Sequence, residues 1–115
     1  MTITKLEKAA WHTYFDSVSK ALVGKRAEIE VDALPIAAQL EAEWLPFYGI
    51  TYDPKDDMIE VVLEGVDHLI RKPREVFVDL DPVGMLNSVE VLDGDGVQQI
   101  VRLRDPLMLP SPSHG

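Results

Sequence analysis

From residue 27 onward, apolar and polar residues alternate in short runs, and this period of two is the feature that most limits the fold. Ala27–Asp32 alternates strictly, with Ala27, Ile29 and Val31 on one side. Successive side chains of a β-strand point to opposite faces, so such a run predicts a strand with one apolar and one polar face. Similar runs follow at residues 38–44, 50–52, 58–64, 75–80, 86–92 and 97–104. The sequence therefore predicts about six or seven short strands.

One of these runs is ambiguous. Residues 36–43 are rich in Ala, Gln, Leu and Glu, which are good helix formers, so a helix is the alternative there. The clean alternation into Trp44 favours a strand for the later part of the segment.

Tight turns join several of the predicted strands. Asp93-Gly94-Asp95-Gly96 lies between two apolar runs, and an Asp-Gly pair in that position is typical of a β-hairpin, with Gly94 at positive φ. Asp53–Asp57 contains Pro54 and three aspartates, which indicates a second turn. Short turns imply antiparallel pairing.

The first element is predicted to be a helix from Thr4 to Val23. Thr4 is a candidate N-cap with Glu7 three residues later, and Gly24 suits the left-handed position after the helix. The apolar residues recur on one helical stripe: Trp11, Tyr14, Phe15, Val18 and Leu22. Together these elements predict an α+β fold in which an N-terminal amphipathic helix packs on a curled antiparallel sheet. We expect one domain over residues 1–110 and a flexible tail over 111–115.

Composition excludes several classes of function. The 115 residues include no cysteine, which rules out disulfide scaffolds, thiolate metal sites and cysteine nucleophiles. No apolar run reaches the length of a membrane span and the N-terminus does not resemble a secretory signal, so we expect a cytoplasmic protein without a membrane partner.

The net charge of −9 is concentrated in the middle of the chain. Residues 27–67 carry eleven acidic residues and one basic residue, Lys55. A nucleic-acid binder needs a cationic face, so nucleic acid is not expected as a partner. The strand pattern places most of these acids on the polar side of the sheet: Glu28, Glu30, Asp32, Glu41, Glu43, Glu60 and Glu64.

Several stretches resemble a known family of small bacterial proteins. They are the opening helix with Trp11, Glu41–Pro46, Gly49–Asp57, Asp67–Arg71 and Ile100–Leu107. The family is described only as a domain of unknown function, and the resemblance covers about residues 4–110. It implies a bacterial source and a single domain, and it provides no catalytic residues and no cofactor.

Two groups of basic residues are candidates for a small anionic ligand. His68, Arg71 and Arg74 lie in or beside segment 65–74, which reads as irregular with a single helical turn at Asp67–Arg71. Arg102 and Arg104 share one face of the last predicted strand. Arginine suits oxyanions, and a neutral histidine is a possible general base, but the same arginines also suit cross-strand pairing with glutamate.

The aspartate-rich turns do not predict a metal site. Asp95 is followed by Gly96-Val97-Gln98 rather than by further ligands of a calcium loop. Turn chemistry accounts for these aspartates.

The run Trp44–Tyr48 holds more aromatic surface than one face of a short strand can bury. Aromatic residues are enriched at interfaces, so Trp44, Phe47 and Tyr48, with the neighbouring Glu41 and Glu43, are candidates for binding a protein partner or a second copy of the chain. The protein's own core is the alternative place for these rings. The sequence thus favours a non-catalytic interaction or self-assembling module with an acidic sheet face. A small anionic-ligand binder or enzyme is the alternative.

Overall fold

The computed structural model describes residues 2–32 and 39–105. The helical segments are a short 3-10 helix, Lys8–Ala10, and helix α1, Trp11–Ala21. The strands are β1 Thr2–Leu6, β2 Arg26–Asp32, β3 Gln39–Asp53, β4 Met58–Leu63, β5 Val66–Arg71, β6 Glu75–Leu80, β7 Leu86–Leu92 and β8 Gln98–Arg104. The expected tail at 111–115 and the first residue of the strand expected at 38–44 lie outside the described residues.

The eight described strands form one antiparallel sheet in the order β1-β6-β7-β8-β2-β3-β4-β5. The expected α+β class with one N-terminal helix and a large antiparallel sheet is confirmed. The expected count of six or seven strands is wrong, because β1 and β5 were not recognised from their sequences. Among the described strands, β1 and β5 are the two edges, so the sheet is not curled closed.

Strand β1 occupies the place where the sequence suggested the first turns of the helix. Its residues Thr2–Leu6 pair in antiparallel register with Val76–Leu80 of β6. The helix begins at Trp11, so Thr4 is not its N-cap. A single five-residue strand depends on a partner about seventy positions away, and that partner overrides the local capping signal.

Strand β5 replaces the expected irregular segment 65–74. Val66, His68 and Ile70 face inward and pair with Leu63, Val61 and Ile59 of β4, respectively. The outward residues, Asp67, Leu69 and Arg71, are all exposed. Burial therefore alternates along β5 with the period of two that is typical of a strand. The expected helical turn at Asp67–Arg71 is therefore wrong.

Strand β3 runs through Pro46 and Gly49 and joins the two separate strands expected at residues 38–44 and 50–52. Its first half pairs with β2 and its second half with β4. Register shifts interrupt both pairings, and Trp44, with φ of 51°, lies in the shift between Ala42 and Leu45. Bulges of this kind bend a strand, which lets one chain segment belong to both halves of the sheet.

Helix α1 packs on β3 through the predicted stripe, with Trp11, Phe15 and Val18 buried in the main core. Leu22 is buried beside them, and Gly24 has the expected positive φ of 98°. The inner faces of all the strands except β1 add the rest of this core, mostly Ile and Val. The predicted docking of the helix on the apolar side of the sheet is confirmed.

The β7–β8 hairpin forms as expected, but its glycines have other roles. Gly96, not Gly94, has the positive φ, at 80°. At position 94 there is no room for a side chain, because a Cβ there would lie 2.9 Å from the Lys72 Cβ and 3.2 Å from the Lys72 carbonyl oxygen. Asp93 closes the turn by accepting hydrogen bonds from the Asp95 and Val97 amides.

Candidate functional site

The side of the sheet opposite the core carries two parallel rows of residues, each joined across neighbouring strands by the pairing register. In the first row apolar and charged side chains alternate across six strands: Leu40, Glu30, Ile100, Glu90, Phe77 and Lys5. We call this set the alternating row. Residues paired directly across antiparallel strands point to the same face, so all six project from the outer side.

Ile100 is the central apolar residue of the alternating row. It is only 8 % exposed, yet it is not part of the main core, whose members include its chain neighbour Val101. Its burial therefore comes from the outer surface itself, with Glu30 and Glu90 on either side. A buried isoleucine on the solvent side of a sheet indicates a concave, partly apolar surface.

The second row lies next to the first and reads Glu28, Arg102, Ser88, Asp79 and Ile3 across five strands. Arg102 donates from Nη1 to Glu28 Oε1 at 3.0 Å and to Glu30 Oε1 at 3.1 Å. This pairing is the expected offset of the acidic face by a β8 arginine. It also fixes the guanidinium group in place, because both carboxylates are mostly buried.

A groove of about 500 Å³ opens over the second row. Asp79 and Asp81 line one end, Arg102 and Arg104 line the other, and Ser88 lies between them. A smaller cleft of about 380 Å³, lined by Phe77, Gln98 and Asp32, adjoins it, and Glu90 borders both. Both volumes fall within or near the range of ligand-binding clefts.

Two features of the larger groove stand out. The Oδ1 atom of Asp79 is buried and has no hydrogen-bond partner among residues 2–32 and 39–105. At the other end the Arg104 guanidinium lies 5.6 Å from the Trp44 ring centroid, a cation–π contact, and donates to the Leu103 carbonyl. The groove thus has an acidic end with an unsatisfied oxygen and a basic end with fixed cations.

The seven acidic residues expected on the polar side all lie outside the core. Glu60 and Asp67 form a pair on the outer side of β4 and β5. The hydrogen bond that the protonated Glu60 carboxyl donates to the Asp67 carboxylate, followed by burial and the negative charge of Asp67, raises the pKa of Glu60 above its usual range.

The structure separates His68 from Arg71 and Arg74. His68 faces inward on β5, whereas Arg71 projects from the opposite face of the same strand and Arg74 is exposed after the buried Pro73. None of the three lines the groove, whereas Arg102 and Arg104 both do. The two candidate groups of basic residues therefore do not meet.

His68 belongs instead to a chain of polar side chains that crosses the inside of the molecule. Its Nε2 lies 2.5 Å from Gln99 Oε1, and because an amide oxygen can only accept, Nε2 carries the proton. Gln99 Nε2 donates to Asp93 Oδ2 at 2.8 Å. Asp93 and Gln99 are both buried, so this chain satisfies polar groups that would otherwise be costly.

The aromatic run of β3 divides between core and surface. Phe47 is 1 % exposed and belongs to the core, whereas Tyr48 is 52 % exposed. Trp44 lies half-buried under Arg104, and Glu41 and Glu43 are exposed. Burial in the protein's own core, the alternative for these rings, therefore applies to Phe47 and not to Tyr48.

Sequence reasoning did not identify Asp79, Ser88 or Ile100. Each occupies an outward position next to buried inward residues, such as Val78, Val89 and Val101, and this alternation can be found in the sequence. What could not be found is that β6, β7 and β8 are neighbours with these residues in register.

The described residues hold no group of three or more histidines or acids arranged to bind a metal ion. Asp53 accepts a hydrogen bond from the Lys55 amide, as expected of turn chemistry. In the part of the chain that is described, no helix has both the length and the apolar character required to cross a bilayer.

Comparison with known proteins places the chain in a family. The model of a family of unknown function, DUF5335, matches residues 2–112. A protein of Aquifex aeolicus (strain VF5), described as uncharacterized, is 37 % identical over 111 residues, which is 96 % of this chain and 99 % of that protein. No solved structure matches. The resemblance expected from the sequence is confirmed, and the chain belongs to this family of unknown function.

Proposed function

We propose that this protein is a non-catalytic interaction module that binds a cationic, partly apolar segment of a partner protein on the outer face of its sheet. The observation that carries the proposal is the alternating row, in which Ile100 lies between Glu30 and Glu90, and Phe77 follows on the other side of Glu90. Apolar area provides affinity, and complementary charge provides specificity and rapid association.

The charge of the surrounding surface favours a cationic occupant. Glu30 and Glu90 border Ile100, and Asp32 borders the adjoining cleft. Glu41 and Glu43 are exposed on β3, next to β2. Lysine and arginine side chains carry an apolar stem and a charged end, so they match both components of this surface.

A second copy of the chain is a weaker occupant. Two such faces would bring carboxylates against carboxylates, because the chain carries a net charge of −9 that is concentrated in residues 27–67. A binding role also agrees with the placement of His68, the best candidate base, which donates to Gln99 on the inner side of the sheet.

Fluorescence anisotropy with two labelled peptides tests the proposal. One peptide alternates lysine with leucine and the other alternates glutamate with leucine. We expect saturable binding of the lysine peptide only, with an affinity that falls as salt is added, because screening weakens exposed charge pairs. The variants Glu90→Gln and Phe77→Ala should each weaken binding by about tenfold, the loss expected for one central contact.

Matched controls separate recognition from general attraction. Glu64→Gln makes the same charge change in the exposed β4–β5 turn, and Val83→Ala shortens an apolar side chain that is 82 % exposed. Both should leave the affinity nearly unchanged. If Glu90→Gln and Glu64→Gln weaken binding equally, the peptide responds to net charge and the proposal fails. A dimer in sedimentation velocity that Phe77→Ala abolishes would assign this face to a second copy instead.

A further inference from the structure

Ser88 is the smallest side chain in the second row and stands between Arg102 and Asp79. Its small size leaves open the floor of the 500 Å³ groove between a cation and an anion. Neighbouring strands lie about 4.8 Å apart, so the Cα atoms of Arg102 and Asp79 are roughly 10 Å apart across two strand spacings. The groove therefore extends across two strand spacings, with opposite charges at its two ends.

The acidic end of the groove can accept a hydrogen bond from a ligand. Asp79 Oδ1 is buried with no hydrogen-bond partner among the described residues, a state that is uncommon for a buried carboxylate oxygen. The neighbouring Asp81 is different, because its Oδ1 already accepts from the Val83 and Met85 amides in the β6–β7 turn. Asp79 Oδ1 is thus a carboxylate oxygen beside this groove that lacks a donor among the described residues.

The basic end of the groove presents Arg102 and Arg104 to an anionic group. Arg102 makes both of its described hydrogen bonds from Nη1, to Glu28 and Glu30. Arg104 also uses Nη1, towards the Leu103 carbonyl, and its guanidinium lies on Trp44. These contacts hold both guanidinium groups at the groove, where Lys25 and Asp105, paired at 3.5 Å, also line this end.

We propose that the groove is a binding site for a small zwitterionic ligand, with its cationic group on Asp79, its anionic group on Arg102 and Arg104, and an apolar chain across Ser88. Ile100 and Met85 line the groove and provide apolar surface for that chain. A ligand with one charge contacts a charged partner at only one end of the groove. This site goes beyond the proposed protein interaction and does not require it.

Titration of amide chemical shifts with three probes tests this site. The probes are ε-aminocaproate, which carries both charges, and hexylamine and hexanoate, which carry one each on a chain of similar length. We expect saturable shifts at the Ser88 amide and its neighbours, and an affinity for ε-aminocaproate about tenfold or more above that of either analogue, because each end adds a charge-assisted hydrogen bond. The shorter γ-aminobutyrate should bind more weakly than ε-aminocaproate, because it cannot span the gap.

Two pairs of variants locate the contacts. Asp79→Asn should weaken ε-aminocaproate binding by about tenfold, whereas Asp81→Asn removes the same charge from the same groove and should have little effect. Arg104→Gln should weaken binding similarly, whereas Arg26→Gln, at the paired position on β2, should not. The amide spectra of the variants without probe report whether each remains folded.

Three results would overturn the proposal. They are an ε-aminocaproate affinity no higher than that of hexylamine or hexanoate, equal effects of Asp79→Asn and Asp81→Asn, and no saturable binding of any probe. None of these bears on the lysine–leucine peptide, which is tested with Glu90 and Phe77. The two proposals therefore fail independently.

Discussion

Ser19 of helix α1 completes the hydrogen bonding of Ile50 in strand β3. The Ser19 hydroxyl donates to the Ile50 carbonyl at 2.7 Å and accepts from the Ile50 amide at 2.9 Å. The helix thereby supplies a partner for β3 where its pairing with β2 has ended at Pro46. The helix lies close to β3 here, since a Cβ added at Gly49 would be in van der Waals contact with the Ser19 hydroxyl oxygen, at 3.4 Å.

Ser19→Ala should destabilise the protein by about 1–3 kcal/mol, because two backbone groups of Ile50 lose their partner in a partly buried position. Urea unfolding measures this loss. Ser17→Ala is the matched control, since the Ser17 hydroxyl bonds only to Thr13 on the exposed side of the same helix. Equal effects of the two variants would mean that the contact with Ile50 does not hold the helix on the sheet.

Gly94→Ala should cost about 1–3 kcal/mol, because the added Cβ overlaps Lys72. Lys72→Gly removes the nearer atom and also relieves the positive φ of 51° at that position. Gly94→Ala should therefore cost less in the Lys72→Gly background. Gly65→Ala, at a position with positive φ and open space, should cost about 1 kcal/mol in either background. A Gly94→Ala cost that is independent of residue 72 would contradict the packing of these two turns.

The protein should lose stability between about pH 10 and pH 12 through Tyr52. Burial, and then the hydrogen bond to Asp57 at 2.8 Å, raise the pKa of Tyr52 from 10.0 to about 12. In that window the unfolded chain releases this proton more readily than the folded chain. The contribution of Tyr52 is therefore fully present below pH 10 and is lost as the pH rises through the folded pKa.

Urea unfolding at several alkaline pH values measures this loss. Tyr52→Phe retains the ring that packs against Trp11 but has no proton to release. Its stability should fall less steeply over the same range. Parallel pH profiles of the two proteins would show that Tyr52 does not titrate as proposed.

Arg102→Met should destabilise the protein by about 1–3 kcal/mol, because it leaves Glu28 and Glu30 side by side on β2 without a cation. Lys20→Met is the control, since the exposed Lys20–Asp16 pair should contribute at most about 0.5 kcal/mol. Replacing both glutamates by glutamine should restore much of the loss in Arg102→Met. Denaturant unfolding measures both free energies of unfolding. Equal small decreases in Arg102→Met and Lys20→Met would mean that Arg102 is not needed to offset Glu28 and Glu30.

Local signals in the sequence predict the elements that are closed by short-range contacts. The β7–β8 hairpin follows from its Asp-Gly turn, and β2 follows from strict alternation. Strands β1 and β5 are edge strands whose pairing depends on β6 and β4, so the capping signal at Thr4 and the single-turn signal at Asp67–Arg71 were misleading.

The candidate site was predictable only in part. Alternation alone places Arg102 and Arg104 on one face, and it also places the glutamates of β2 outward. The groove further requires that β8 lies between β7 and β2 and that Ser88 is in register with Asp79. Sequence alone does not determine which strands are neighbours, so Ser88 and Asp79 could not be connected to the arginines.

The most direct test of the central claim, that the outer face of the sheet is the binding face, is a map of backbone amide shifts on addition of the lysine–leucine peptide. We expect the largest shifts along the alternating row, at Glu30, Ile100, Glu90 and Phe77, and little change in α1. Shifts centred on α1 or on β4 and β5, or a uniform small response over the whole surface, would contradict it.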